Sequence, residues 1–360
     1  MDGTGRPGAP GLRVVVVGAT GNVGSSLLPL LARDPGVAEV LGLARRVPPP
    51  GWPPTEGDSG RVRFAPVDIG AEGCEPELAA HFAGADAVVH LAWLMRLGPG
   101  EEERTWRTNA LGSLRVFDAV ARAGVPALVY ASSVGAYAPG PGDGRPVDEG
   151  WPAHGWPGSA YTREKAYVER CLDTFERDHP EVRVVRMRPS FLFKRASAQQ
   201  QRELFAGPLV RSWMVRRPGL LPVLPFPRGL RLQVCHTEDA AEAYRLAVHG
   251  PGRGAFNLAA EPPLDAKLLA GLLGARPLPV PPALPRAALS AGWHLRLVHA
   301  APGLYDALLR LPLLDAGRAG EVLGWRAVRS APETVAEFLE GLRCGPPGGP
   351  RPPADPPAPA

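Results

Sequence analysis

The chain has little of what marks metal-binding, secreted or membrane-spanning proteins. Its four cysteines, Cys74, Cys171, Cys235 and Cys344, lie far apart and form no Cys-x-x-Cys pair. That spacing argues against a zinc knuckle and indicates a reducing compartment. No apolar run approaches the roughly 18 residues that a membrane-spanning helix needs, and none precedes the first predicted strand. We therefore expect a cytoplasmic protein without a membrane partner.

A block of charge of one sign is also missing. The net charge of the 360-residue chain is +4, and its charged residues, 21% of the total, are mixed in sign. Without a Lys/Arg-rich block, no nucleic acid is expected as a partner. His81, His90, His154 and His179 show no metal-ligand spacing, so no metal is expected. The 45% hydrophobic content indicates a globular protein large enough for a main domain and a smaller lobe.

The stretch from Leu12 to Gly24, LRVVVVGATGNVG, predicts a dinucleotide-binding turn. A valine-rich strand runs directly into three glycines, Gly18, Gly21 and Gly24, and an apolar helix follows. In such a fold the glycines make the turn, admit the pyrophosphate and allow close helix packing. The N-terminus of the helix then binds the phosphates. A glycine-rich turn that binds nothing is the alternative, but the flanking strand and helix favour NAD or NADP as the cofactor.

Beyond this turn, predicted strands and helices alternate. Strands are predicted at 40–44, 62–67, 87–91, 127–131 and 182–187, and helices at 76–82, 101–123 and 161–179. This alternation is typical of a doubly wound parallel α/β sheet of the Rossmann type. After Arg188 the pattern loosens, with a helix predicted at 238–248 and capped by Thr237.

The predicted domain organisation follows from this change of pattern. We expect a disordered leader at 1–11, an NAD(P)-binding Rossmann domain at 12–188, a smaller C-terminal substrate-binding lobe at 189–342 and a disordered Pro/Gly-rich tail at 343–360.

Several hydroxyl groups and one ammonium group are predicted at the sheet edge where this fold binds ligands. Tyr161 and Lys165 are four residues apart in YTREK, on one face of a helix. An ammonium beside a phenol lowers the pKa of the phenol, which suits Tyr161 for acid–base catalysis near neutral pH. Ser132 and Ser133 end the fifth strand, at the sheet edge where ligands sit. The alternatives are a surface tyrosine beside a helical lysine, and serines that cap a turn.

In order and context, these motifs resemble the extended short-chain dehydrogenase/reductases of the NAD-dependent epimerase/dehydratase type. The matching pieces are GATGNVG at 18–24, Asp68-Ile69, HLA at 90–92, Asn109 in NALGS, YASS at 130–133, YTREK at 161–165, Arg188-Pro189, HTEDAAEAYRLAV at 236–248 and FNLA at 256–259. The resemblance covers about residues 12–342. It implies an NAD(P)-dependent oxidoreductase or epimerase that acts on a secondary alcohol or ketone, such as that of a nucleotide sugar.

The resemblance also implies the site residues. The catalytic ones are Ser133, Tyr161 and Lys165, with Ser132 as the reserve serine. The cofactor-binding ones are Gly18, Gly21, Asn22, Val23, Gly24, Asp68, Ile69, Leu91, Ala92, Trp93, Asn109, Tyr161 and Lys165. A non-catalytic dinucleotide sensor or scaffold on the same fold is the alternative, but it gives no reason for the serine, tyrosine and lysine to occur together. The expected partner is a small-molecule substrate, and the oligomeric state, including a homodimer, stays open.

At some positions the sequence departs from the family's pattern, and these departures narrow the range of reactions expected of the chain. Sugar 4,6-dehydratases carry an Asp-Glu pair directly after the serine or threonine, where this chain has Val134 and Gly135. Elimination of water is therefore disfavoured. Trp93, Leu94 and Met95 form a bulky apolar wall where relatives often have a second small residue.

The end of the second strand bears on cofactor choice. NAD-specific sites usually place an acidic residue there, on the ribose 2′-hydroxyl. This chain has Arg45 and Arg46 instead. A guanidinium pairs with a 2′-phosphate, so we expect NADP to bind more tightly than NAD, with Arg45 as the main contact and Arg46 as an auxiliary one. The alternative is that both arginines are solvated loop cations.

Overall fold

The structure is a computed structural model that describes residues 11–49, 52, 60–96, 98, 100–206 and 222–344. Residues 1–10 of the predicted leader (1–11) and residues 345–360 of the predicted tail (343–360) lie outside the described residues. Gly11 lies against Ala38, and the terminal helix runs on to Cys344, so the helix includes the first two residues assigned to the tail. Among the described helices, none is long and apolar enough to cross a membrane.

The described residues form strands and helices in alternation over the first half of the chain. The strands are β1 Leu12–Val17, β2 Val37–Ala44, β3 Val62–Pro66, β4 Ala87–His90, β5 Ala127–Ala131, β6 Arg183–Pro189, β7 Phe191–Phe193, β8 Val223–Pro227, β9 Leu232–His236, β10 Gly254–Leu258, β11 Ala260–Leu264 and β12 Arg276–Val280. The helices are α1 Gly24–Arg33, α2 Glu75–Phe82, α3 Glu102–Trp106, α4 Gly112–Arg122, α5 Ala160–Asp178, α6 Ala198–Ala206, α7 Thr237–His249, α8 Ala266–Leu273, α9 Ala283–His294, α10 Pro302–Leu308, α11 Gly317–Leu323 and α12 Ala331–Cys344.

Seven parallel strands make the central sheet, in the order β3-β2-β1-β4-β5-β6-β10. Helices flank it, and the strand order reverses between β1 and β4, which is where open α/β sheets bind ligands. The predicted doubly wound α/β fold of the Rossmann type is confirmed. The seventh strand, β10, pairs with β6 and comes from beyond residue 188, so the chain returns to the main sheet after entering the smaller lobe.

The alternating valines of β1 pack into two hydrophobic cores, one on each face of the sheet. Val14 and Val16 pack on the side of α1 and α7, whereas Val15 and Val17 pack on the side of α2, α4 and α5. All four valines are almost fully buried. Parallel strands covered on both faces carry continuous apolar runs for this reason, and the run fixes β1 in the centre of the sheet.

The smaller lobe contains short strands, and apart from β9, which the pattern at 232–235 predicts, the sequence pattern does not reveal them. A three-stranded sheet, β11-β9-β7, is covered by α12, and β12 pairs with β8 in a separate two-stranded sheet. The strands β8, β11 and β12 each contain two prolines, which conceal the usual strand signal.

Two local predictions need correction. The cap of α7 is His236 rather than Thr237, because the His236 ring accepts a hydrogen bond from the backbone N–H of Glu238. The predicted helix at 101–123 is broken by a π-helical turn, Arg107–Leu111, between α3 and α4. Such turns often lie at functional sites, and this one contains Asn109.

Candidate active site

The turn between β1 and α1 is held by two close backbone approaches. Gly18 has a φ of +87°, and a Cβ there would lie 2.5 Å from the backbone nitrogen of Ala92. A Cβ at Gly24 would overlap the carbonyl oxygen of Ala19. At Gly21 an added Cβ would meet a single atom, the Gly18 carbonyl oxygen, at a tight 3.3 Å. The three glycines therefore match the turn, packing and approach roles of a dinucleotide fold.

The residues of this turn fit a pyrophosphate. The backbone N–H groups of Asn22 and Val23 have no acceptor among the described residues. The first turn of α1 carries no acidic residue that would compete with an anion. Unpaired N–H groups and the positive end of the helix dipole favour negative charge at this position.

The other predicted cofactor residues line the same edge of the sheet. Asp68 is exposed after β3, with its carboxylate accepting the backbone N–H of Gly70, and Ile69 beside it is buried. Leu91 and Ala92 follow β4 and lie against Gly18. Arg45 and Arg46 are both exposed directly after β2. All of these residues follow the carboxyl ends of parallel strands, where ligands sit in this fold.

The three predicted catalytic residues meet at the end of β5. Ser133 follows the strand, and its hydroxyl lies near the phenol of Tyr161, in the first turn of α5, close enough to favour the phenolate. The same hydroxyl accepts the backbone N–H of Gly135 at 3.0 Å. The ammonium of Lys165 donates to the carbonyl oxygen of Ala131 at 2.6 Å. The structure thus brings the serine, tyrosine and lysine together at one sheet edge.

Ser132, the reserve serine, points the other way. Its hydroxyl donates to the carboxylate of Glu169 at 2.5 Å inside the core. Glu169 also accepts hydrogen bonds from Arg188 and Arg186. Because neighbouring residues of an extended strand face opposite sides, only one of the two serines can meet Tyr161, and it is Ser133.

Trp93 covers the lysine in a way that the sequence did not indicate. Its ring lies 3.4 Å from the Lys165 ammonium, centroid to nitrogen, and 6.0 Å from the Tyr161 ring, edge to face. This is a cation–π contact within a largely buried site. The indole N–H of Trp93 is buried and has no partner within the part of the chain described.

Burial shifts the pKa values of Tyr161 and Lys165 away from those that their spacing in the sequence suggests. It raises the pKa of the Tyr161 phenol, and the nearby Ser133 hydroxyl opposes that rise without cancelling it. It also lowers the pKa of the Lys165 ammonium well below its usual value, although Glu169 and Glu164 act to raise it. The pKa of Tyr161 is thus raised rather than lowered as expected, because burial outweighs the neighbouring groups that favour the phenolate.

The π-helical turn holds the segment after β4. The side-chain amide of Asn109 exchanges two hydrogen bonds with the backbone of Leu94, at 2.6 and 3.0 Å. It also donates to the carboxylate of Glu164 at 2.7 Å, and Glu164 accepts from Thr105 at 2.6 Å. Asn109 thus fixes the chain beside Trp93, and Glu164 is a supporting residue that sequence reasoning missed.

The model of the NAD dependent epimerase/dehydratase family matches residues 14–259 of the chain. The chain belongs to this family. The matched range includes the glycine turn, Ser133, Tyr161 and Lys165, and it ends within the linker after β10. No curated protein sequence matches the chain significantly.

Solved structures show the same fold at low identity. The UDP-glucose 4-epimerase of Thermus thermophilus, complexed with NAD, is 23% identical with a TM-score of 0.65, covering 92% of this chain and 99% of its own. MoeE5, complexed with UDP-glucuronic acid and NAD, is 23% identical with a TM-score of 0.66 and the same coverage. DesIV, a dTDP-glucose 4,6-dehydratase from Streptomyces venezuelae, is 20% identical with a TM-score of 0.66, covering 92% and 97%.

Metal ligands do not converge here. Within the described ranges, no three His, Cys, Asp or Glu side chains are grouped so as to hold a metal ion.

Within the epimerase/dehydratase family, this chain departs from the dehydratases at Val134 and Gly135. Val134 is buried against Tyr137 and Val147, away from the catalytic edge. A Cβ on Gly135 would lie 2.7 Å from Cε1 of the Tyr161 ring. A side chain at position 135 is therefore incompatible with this placement of Tyr161.

We predict that Gly135→Ala displaces the Tyr161 ring. Overpacking should lower the free energy of unfolding by about 1–3 kcal/mol and reduce turnover of any accepted substrate. Urea denaturation and steady-state rates measure the two effects. The matched control is Gly142→Ala, since an added Cβ there meets nothing within 4 Å and stability should stay unchanged. A Gly135→Ala protein as stable and active as this control would contradict the tight contact.

Proposed function

We propose that the protein is an NAD(P)-dependent oxidoreductase or epimerase that acts on a secondary alcohol or ketone by hydride transfer. One observation carries the proposal. Ser133, Tyr161 and Lys165 lie at the same edge of the sheet as the unpaired N–H groups of the β1–α1 turn. That arrangement supports a dinucleotide and a reacting oxygen side by side, which a scaffold or sensor does not require.

Each residue of the trio then has a distinct task. A bound nicotinamide gives or takes the hydride. Tyr161 moves the proton of the reacting oxygen, and the raised pKa keeps its phenol protonated at neutral pH, the form that donates to a ketone oxygen during reduction. Ser133 holds the same oxygen through its hydroxyl. Lys165, anchored on the Ala131 carbonyl, binds the ribose hydroxyls and balances charge that develops on Tyr161 during oxidation.

The net reaction depends on what the ketone does next. If it rotates and is reduced on its other face, the reaction is an epimerisation, and if it leaves, the reaction is a dehydrogenation. Water elimination is not supported, because Val134 and Gly135 supply no acid–base pair. Nucleotide sugars are the first substrate class to assay, since the structurally similar enzymes are complexed with UDP-glucuronic acid or named for UDP-glucose and dTDP-glucose.

The tyrosine tests this proposal. We predict that Tyr161→Phe lowers the turnover rate about 10²–10⁴-fold, because only the proton-carrying hydroxyl is removed. Dinucleotide affinity, followed by calorimetry, should change less than about twofold. The matched control is Tyr167→Phe, six residues along the same helix, where the ring packs on Trp106 instead. A Tyr161→Phe enzyme with the activity of the Tyr167→Phe control would refute the assigned role.

Cofactor preference is a second part of the proposal. Arg45 supports NADP, whereas the similar enzymes named above are complexed with NAD. We predict that NADP binds more tightly, and that Arg45→Ala weakens NADP by about 1.5–3 kcal/mol, or one to two decades in Kd, while NAD barely changes. Titration of both cofactors into each protein measures these affinities. Arg46→Ala should have a smaller effect on NADP binding. Arg122→Ala, at an exposed position on α4, is the control and should have no effect. Equal loss of NAD and NADP in Arg45→Ala would contradict a 2′-phosphate contact.

A further inference from the structure

Lys194 is a buried ammonium at the start of α1 that the mechanism above leaves unused. It follows β7, and only 8% of its surface is exposed. Its ammonium donates to the carbonyl oxygen of Asn22 at 2.8 Å and to the hydroxyls of Ser25 and Ser26 at 2.7 and 2.9 Å. The three N–H groups of the tetrahedral ammonium thus meet three acceptor oxygens. The planar guanidinium of an arginine could not make the same three contacts.

The charge of Lys194 lacks an anion close by. Across the residues that the structure describes, no carboxylate lies within 4.0 Å of its ammonium. Glu238 acts on it only electrostatically, and the carboxylate of Glu238 is paired with Arg329 at 2.6 Å. Burial therefore lowers the pKa of Lys194 to about 8. A buried cation beside the positive end of a helix is unfavourable unless negative charge arrives.

The geometry connects this charge to the dinucleotide turn. Lys194 donates to the carbonyl of Asn22, and the same peptide group carries the N–H of Val23. In a helix the carbonyls and N–H groups point in opposite directions along the axis. The ammonium at the carbonyl oxygen therefore polarises this peptide group. The N–H on the opposite side of the group becomes a stronger hydrogen-bond donor. The Val23 N–H is one of the two N–H groups of this turn, named above, for which no acceptor lies among the described residues.

We propose that Lys194 is a positioning residue of the dinucleotide site. It acts through the Asn22–Val23 peptide to strengthen the binding of a pyrophosphate, and it ties β7 of the smaller lobe to the same turn. This inference rests on the proposed function, which requires a dinucleotide at the turn. It assigns a role to a residue that belongs to none of the family motifs in this chain.

The test separates charge on the pyrophosphate from general damage to the fold. ADP-ribose, which carries a pyrophosphate, and adenosine, which does not, are titrated calorimetrically into the wild type, Lys194→Met and Lys194→Gln. We expect both variants to bind ADP-ribose about tenfold more weakly and adenosine within about twofold of the wild type. Two uncharged variants keep the test open should one fail to fold. Lys267→Met, an exposed lysine on α8, is the matched control and should bind both ligands normally.

A pH series adds a readout that a merely structural role would not move. Lys194 is charged below its pKa, so wild-type affinity for ADP-ribose should fall as the pH rises above about 8, and the Lys194→Met protein should lack this fall. The charged groups nearby are Glu238, paired with Arg329, and Glu337, which accepts from the backbone of Arg195 and contacts His236. All of these remain in the variant, which isolates the contribution of Lys194.

Three results would overturn the inference. Unchanged ADP-ribose affinity in Lys194→Met, or equal losses for ADP-ribose and adenosine, would remove the role of Lys194 and leave the proposed function intact. A wild-type protein that binds neither ADP-ribose nor NAD would overturn the proposed function together with the inference.

Discussion

The carboxylate of Glu169 is the charge on which the placement of helix α5 depends. It is 1% exposed and bonds Ser132 at the end of β5 and two arginines, Arg186 and Arg188, on β6. Burial acts to raise the pKa of this carboxyl, but the hydrogen bonds and charge of the arginines lower it, to about 2. Since Glu169 is one helical turn from Lys165, the same contacts hold the lysine and Tyr161 over β5.

A second constraint meets the first at the same edge of the sheet. The β1–α1 turn is fixed by backbone contacts that only glycine allows at Gly18 and Gly24. At the start of α1 it presents N–H groups for which the described residues supply no acceptor. One half of the site thus offers fixed donors to an anion, and the other half offers Ser133 and Tyr161 to a reacting oxygen. Catalysis by positioning needs both halves to be rigid, because small displacements of reacting groups cost much of the rate.

The sequence predicted what depends on neighbours along the chain and missed what depends on packing. Valine runs and glycine spacing were enough for the doubly wound fold and for bringing Ser133 to Tyr161, but not for the return of β10 to the main sheet. The short, proline-containing strands of the lobe gave no such signal. The direction of the shift in the pKa of Tyr161 was wrong, because a spacing of four residues says nothing about burial. The contacts of Trp93 with Lys165 and of Lys194 with Asn22 join distant parts of the chain, so no local pattern could show them.

The most direct test of this account measures the free energy of unfolding of the wild type and of Glu169→Gln from pH 7 to pH 3. The variant mimics the protonated carboxyl, so at pH 7 the wild type should be more stable by about 3–5 kcal/mol. A folded-state pKa near 2 means that this advantage is complete above the unfolded pKa and shrinks as the pH falls, by about 2 kcal/mol between pH 6 and pH 3. A stability difference that is absent at pH 7, or that stays constant down to pH 3, would show that the charge of Glu169 does not hold α5 in place.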